Sequence, residues 1–125
     1  MDLLDTQVYG MIGEQGFARL VGAFYRRVRE DEILKPMYPP EDLAGAEQRL
    51  REFLIQRFGG PQMYSESRGH PRLRMRHSPF AIDQRARDRW IELMEAALAE
   101  TVPDERAVAM LRPFFHDTAT FMMNR

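Results

Sequence analysis

Phe17, Leu20, Val21, Phe24 and Val28 stand at i, i+3, i+4, i+7 and i+11 of a 125-residue chain. An α-helix puts all five on one face, whereas a strand would scatter them over two. That stripe predicts a helix which should end near Asp31, because LKPMYPP at 34–40 holds three prolines that cannot continue it. The pattern then recurs. Asp42 can cap a second helix on which Leu43, Ala46, Leu50, Phe53, Leu54 and Arg57 share a face, with Glu47, Arg51 and Glu52 pointing away. GGP at 59–61 stops that helix, and the Arg-, Pro- and Gly-rich stretch 62–75 should hold only short helical turns. Asp83 is the expected cap of a third helix with Trp90, Leu93, Met94, Ala97 and Leu98 on its apolar side. Thr101 or Asp104 caps a fourth over about 104–122, with Val108, Leu111, Phe115 and Met122 inward and a kink at Pro113. No alternating strand pattern appears. The expectation is an all-α fold of four main helices in one domain, residues 1–125.

Bulk properties remove several function classes. The net charge of −1 gives no general pull toward nucleic acid or a membrane surface. The absence of cysteine removes disulfides, thiolate metal sites and cysteine nucleophiles, and fits a reducing cytoplasm. MDLLDTQVYG lacks the basic start and apolar core of a signal peptide. No apolar run approaches the ~20 residues needed to span a bilayer. The expected location is therefore the cytoplasm. Nine methionines and eight phenylalanines fill a core adaptably, or line a site for a flat apolar ligand.

The segment RGHPRLRMRHSPF, 68–80, carries the clearest chemistry. His77 lies within it between stiffening prolines at 71 and 79. Leu73, Met75 and Phe80 interleave with Arg72, Arg74 and Arg76. Such alternation offers one greasy and one cationic face, which a porphyrin wants for its ring and its propionates. Trp90 follows on the next helix and offers an indole N–H. Arg68, Arg72, Arg74 and Arg76 could instead form a phosphate-binding stripe, but no recognition-helix signature accompanies them. The three histidines, His70, His77 and His116, are too widely spaced for a zinc site. His70 and His116 default to surface or structural roles. The serines at 65, 67 and 78 lie outside any Gly-x-Ser-x-Gly turn. Tyr25, Tyr38 and Trp90 each carry a donor that needs a partner when buried, although core packing alone would explain Tyr25 and Trp90.

The segments DEILKPMYPPEDLAGAEQRLREFLIQRFGGPQMYSESRGHPRLRMRHSPFAI and ARDRWIELM resemble the group II truncated haemoglobins over roughly 9–98, with a looser match in the last helix. The resemblance implies a two-over-two helical globin: the B and E helices packed over G and H, with haem b between them. It puts the proximal iron ligand on His77, the B-helix distal tyrosine on Tyr25, the G-helix tryptophan on Trp90 and the aromatic after the B–C helices on Tyr38. The distal E-helix position falls on Ala46 and the next inward turn on Leu50. Propionate partners fall on Arg49, Tyr64 and Arg76. Phe53, Leu54, Leu73 and Phe80 would line the haem. One departure is visible: Gly13-Glu14 replaces a Gly-Gly at the first inter-helix turn, which shifts the expected geometry there slightly.

The resemblance further implies a neutral imidazole on iron and a distal side where Ala46 cannot reach the metal. Tyr25 and Trp90 then act as the donors, which makes them the candidate catalytic residues. Two donors at ~1.5–3 kcal/mol each would slow oxygen escape by about two to four powers of ten. That favours redox chemistry, nitric oxide dioxygenation or peroxide activation, over oxygen delivery. The alternatives are a sensor or storage module without catalysis, and a haem-free helical interaction module. The implied ligands are dioxygen, nitric oxide, carbon monoxide, peroxide or sulfide. A separate reductase would be needed for turnover, and exposed methionines near the C-terminus would suit a homodimer.

Overall fold

A computed structural model describes residues 4–69, 72, 75, 77 and 80–125. Five α-helices have both their ends among them: α1 (Val8–Arg29), α2 (Leu43–Arg57), α3 (Met63–Arg68), α4 (Gln84–Thr101) and α5 (Glu105–Phe121); Met75 and His77 are helical as well. Three single-turn 3₁₀ helices, Asp5–Gln7, Lys35–Met37 and Pro40–Asp42, join the ends. No strand occurs among the described residues. The all-α expectation holds. The first helix is longer than its stripe: it begins at Val8 and turns at Gly13, where φ is 70°. Gly13 makes this turn alone, since Glu14 keeps a negative φ.

α1 packs on both α2 and α4, and α4 packs on α5. The core forms where they meet. Phe17, Leu20, Val21, Phe24 and Val28 have no exposed surface, and Leu54, Ile55 and Phe58 of α2, Met94, Ala97 and Leu98 of α4, and Leu111 and Phe115 of α5 close over them. Fully burying one such side chain contributes roughly 1.5–3 kcal/mol relative to leaving it in water, so this stripe sets the layer order. Two caps are as expected: Asp83 accepts the Ala86 N–H at 2.9 Å and Asp104 the Arg106 N–H at 3.0 Å. α5 runs as one helix with Pro113 inside it.

Two expectations on α2 are corrected. Asp42 precedes the helix but its carboxylate does not cap it. It accepts instead from both terminal nitrogens of Arg49, at 3.3 and 2.6 Å. A charged two-pronged bond is the stronger use of that carboxylate. Glu52 does not point to water; only 4% of it is exposed. α3 folds over that side of α2, joined by Gln56 Nε2 to Ser65 Oγ at 2.6 Å and by Gln56 Oε1 to the Ser65 N–H at 2.8 Å. Arg68 reaches Glu52 at 3.8 Å. A short covering helix cannot be read from the periodicity of the helix it covers.

Two further ties set the distances between layers. Asp31, 5% exposed, accepts the N–H groups of Ile33 and Leu34 at 3.1 and 2.9 Å and Arg89 Nε at 2.6 Å. One carboxylate thus shapes the turn after α1 and fastens it to α4 beside Trp90. Burial works against the ionised form, but the Leu34 N–H, Arg89 and the Ile33 N–H outweigh it and hold the Asp31 carboxyl below its usual range. At the other end of α2 the Gly60 N–H returns to the Ile55 carbonyl at 2.7 Å, and Gly59 sits at φ 100°. A Cβ on Gly59 would lie 1.8 Å from the Thr6 carbonyl oxygen. Gly59→Ala should therefore cost about 3 kcal/mol, combining a forbidden φ with a backbone clash. A urea midpoint equal to wild type would show that the 3₁₀ turn holding Thr6 can simply move away.

Candidate functional site

α2, the turn after α1, α4 and α5 do not close completely on one another. They enclose a cavity of about 350 Å³. Tyr25 reaches it from α1, Tyr38 from the turn, and Ala46, Arg49, Leu50, Phe53 and Leu54 from α2. Tyr64 of α3, His77, Phe80 and Trp90 complete the residues expected from sequence. Leu73 and Arg76 lie outside the described residues. The periodicity of α2 explains its contribution: Ala46, Leu50 and Phe53 are only half-buried because their stripe faces the cavity, Leu54 lines it while fully buried, and Ile55 lies outside the lining and is sealed.

Other wall residues were not singled out from sequence. Leu34, Met37, Pro39 and Asp42 come from the turn, Ile82, Ala86 and Arg87 from the start of α4, and Phe114, Phe115, Thr118, Ala119 and Met122 from α5. The i, i+4 spacing of Ala86 and Trp90, and of Phe115 and Ala119, was a usable signal: the alanines give room where the aromatics give walls. Met122, expected inward, is buried in this wall.

Three polar groups meet on one side. Tyr25 packs edge-on against Tyr38 at 5.6 Å between ring centres, and Trp90 packs on Phe24 at 5.0 Å and Phe115 at 5.8 Å. Tyr25, Tyr38 and Trp90 thus bring three polar groups to the same part of the cavity. An indole N–H can only donate, whereas each hydroxyl can donate or accept. Burial first, and then the neighbouring Tyr38, push the Tyr25 hydroxyl well above its ordinary value of 10.0. Burial also raises Tyr38, opposed by the nearby Tyr25 and Trp90.

Cations stand at the polar edge. Arg49 is held by Asp42, and Arg87 by Thr120 Oγ1 at 3.0 Å and Asp88 at 3.0 Å. Among the described residues, no group of three or more His, Cys, Asp or Glu could bind a metal ion unaided. One imidazole in an aromatic and aliphatic wall suits a planar metal chelate that brings its own in-plane donors. Two guanidiniums suit the carboxylates of such a group. The residues present therefore fit haem. Among the described residues no helix is long and apolar enough to cross a membrane.

Comparison with known proteins points the same way. The bacterial-like globin family matches residues 7–124. Group 2 truncated hemoglobin YjbI of Bacillus subtilis is 42% identical over 90 residues, 72% of this chain and 67% of that protein. The haemoglobin of the thermophilic phototrophic bacterium Chloroflexus aurantiacus superposes with a TM-score of 0.91 at 49% identity, over 94% of this chain and 98% of that one. The truncated oxygen-avid haemoglobin of Bacillus subtilis superposes with a TM-score of 0.88 at 37% identity, over 94% and 98%.

The tyrosine pair has a titration signature. Hydroxyls whose values are raised by folding contribute stability that is intact below pH ~10 and is lost as pH climbs through the folded value. Tyrosinate absorbance should show a late alkaline phase that Tyr25→Phe removes. A Tyr25 phase near pH 10 would mean that its hydroxyl meets water.

Proposed function

The chain belongs to the bacterial-like globin family, as a group II truncated haemoglobin, and from that premise we propose that it binds dioxygen tightly and uses it in redox chemistry rather than delivering it. Its cofactor is haem. When bound, haem supplies an iron with an open coordination position for dioxygen and other diatomic ligands. His77 would hold the iron through one neutral ring nitrogen. Arg49 and Tyr64 would face the propionates, joined by Arg87. Phe53, Leu54 and Phe80 would pack on the ring.

The observation that carries the reading is the convergence of Tyr25, Tyr38 and Trp90 on one wall. All three hold a proton throughout the physiological range, so none acts as a base there. Each can only help by donating to a partly negative ligand. Tyr25, Tyr38 and Trp90 each carry a hydrogen that can turn to the ligand. Ala46 has no side chain long enough to reach the ligand, so the ligand meets no competing imidazole from that position of α2. Two donors at ~1.5–3 kcal/mol each retard ligand escape by about two to four powers of ten. A carrier must release its oxygen, and this arrangement works against release. The B. subtilis relative is described as oxygen-avid, which supports the same reading.

Polar donors that retain the ligand also help draw charge toward its outer atom, which favours oxidation of nitric oxide or cleavage of peroxide. Such turnover requires electrons from a separate reductase. Trp90→Phe should raise the oxygen dissociation rate about ten-fold or more, the effect of losing one charge-directed donor. Stopped-flow displacement by carbon monoxide measures it, and an unchanged rate would remove Trp90 from the network. His77→Ala should abolish the normal five-coordinate ferrous spectrum; an unaltered spectrum assigns the ligand elsewhere. Sustained nitric oxide or peroxide consumption with a reductant separates an enzyme from a storage or sensing module.

A further inference from the structure

The described residues between α3 and α4, which include His77, are mostly exposed. Met75 is 63% exposed and Phe80 36% exposed, and Arg72 lies at the surface with φ 47°, a left-handed conformation unusual for arginine. Of these residues only Ile82 is buried. Burial of these described side chains is therefore a weak means of setting their position, and hydrogen bonds add to it.

Several of those bonds come from the residue pair just beyond α5. Asn124 Nδ2 donates to the Phe80 carbonyl at 2.8 Å and to the His77 carbonyl at 3.3 Å. Its Oδ1 accepts the Ile82 N–H at 2.9 Å. Its backbone N–H donates to the Ile82 carbonyl at 2.9 Å, joined by the Arg125 N–H at 3.3 Å. A carboxamide offers two donors and an acceptor on one planar group. Only one of its two orientations satisfies two carbonyls and an N–H together, so the network itself assigns the amide. The His77 carbonyl also accepts the Phe80 N–H at 3.0 Å. Both of its lone pairs are then engaged, and the peptide plane that follows His77 is pinned.

We infer that Asn124 is a positioning residue for His77: it clamps the 77–82 turn to the end of α5 and so keeps the imidazole seated against the cavity. The inference rests on the reading of His77 as the haem ligand. Without the clamp the turn opens locally more often, as weakly packed segments do. Each opening withdraws the ligand, so haem escapes in proportion to the open population.

Asn124→Asp tests this with little change of size. It keeps an acceptor for the Ile82 N–H, loses both donations and places a charge beside two carbonyls. Asn124→Ala removes every side-chain bond. The two readouts are haem transfer from the loaded protein to excess haem-free myoglobin, and the iron–histidine stretching band of the dithionite-reduced protein in resonance Raman. Asn124→Asp should lose haem about ten-fold faster, equivalent to about 1.4 kcal/mol. The band should shift or broaden, while oxygen dissociation stays at the wild-type rate, because the Tyr25–Tyr38–Trp90 side is untouched. Wild-type haem loss and an unmoved band in both variants overturn the clamp, even if the melting temperature falls, since Asn124 would then be a structural cap alone. His77→Ala separates the two levels. If it retains the band, the ligand assignment fails and the clamp with it. If it loses the band while the Asn124 variants are silent, the clamp alone fails.

Discussion

The helices of this protein pack around a space that their own side chains do not fill. Apolar side chains facing this cavity of about 350 Å³ gain little from burial until a ligand covers them. An apolar planar cofactor converts that surface into buried contact, which makes haem a part of the core rather than an addition to it. The architecture follows from that constraint. α1 and α4 can seal tightly where Phe17, Leu20, Phe24, Met94 and Leu98 meet. α2 must turn one stripe to α1 and leave the adjacent one, Ala46, Leu50 and Phe53, to the cavity.

An apolar cavity of this kind binds a flat ring without deciding what the ring does. The polar groups decide that, and each is held by a residue outside the cavity's chemistry. The turn that delivers Leu34, Met37 and Tyr38 is shaped by Asp31, whose carboxylate also grips Arg89 next to Trp90. Asp42 holds Arg49, Gln56 anchors the helix that carries Tyr64, and Asn124 holds the turn after His77. These supports use charged or bidentate hydrogen bonds. Directional bonds fix geometry to tenths of an ångström, which undirected apolar packing does not.

The difference between those two forces explains what was legible beforehand. Apolar burial acts through helical periodicity, so the five-residue stripe of α1, the faces of α4 and α5 and the stop at GGP could all be read in one dimension. Asp83 and Asp104 act within one turn of themselves, and their caps were equally readable. Asp42 misled because its better partner lies seven residues on, across the helix start. Glu52 misled because what covers it is a separate six-residue helix with no periodicity of its own. Arg87, Thr118 and Met122 were missed because a wall shared by two helices has no signature in either one alone.

The sequence by itself determined the helical class, the boundaries made by proline and glycine, and the residue types able to meet a haem: one imidazole in a basic, apolar run, two tyrosines and a single tryptophan. Those are local matters of backbone freedom, period and side-chain chemistry. Only the tertiary structure decided that Tyr25, Tyr38 and Trp90 meet at one cavity, that Asp31 ties the turn before Tyr38 to the helix of Trp90, and that Asn124 reaches back 47 residues to the His77 carbonyl. The physical reason is that a hydrogen bond depends on distance and angle in space. Residues far apart along the chain acquire those only after the apolar stripes have brought their helices together.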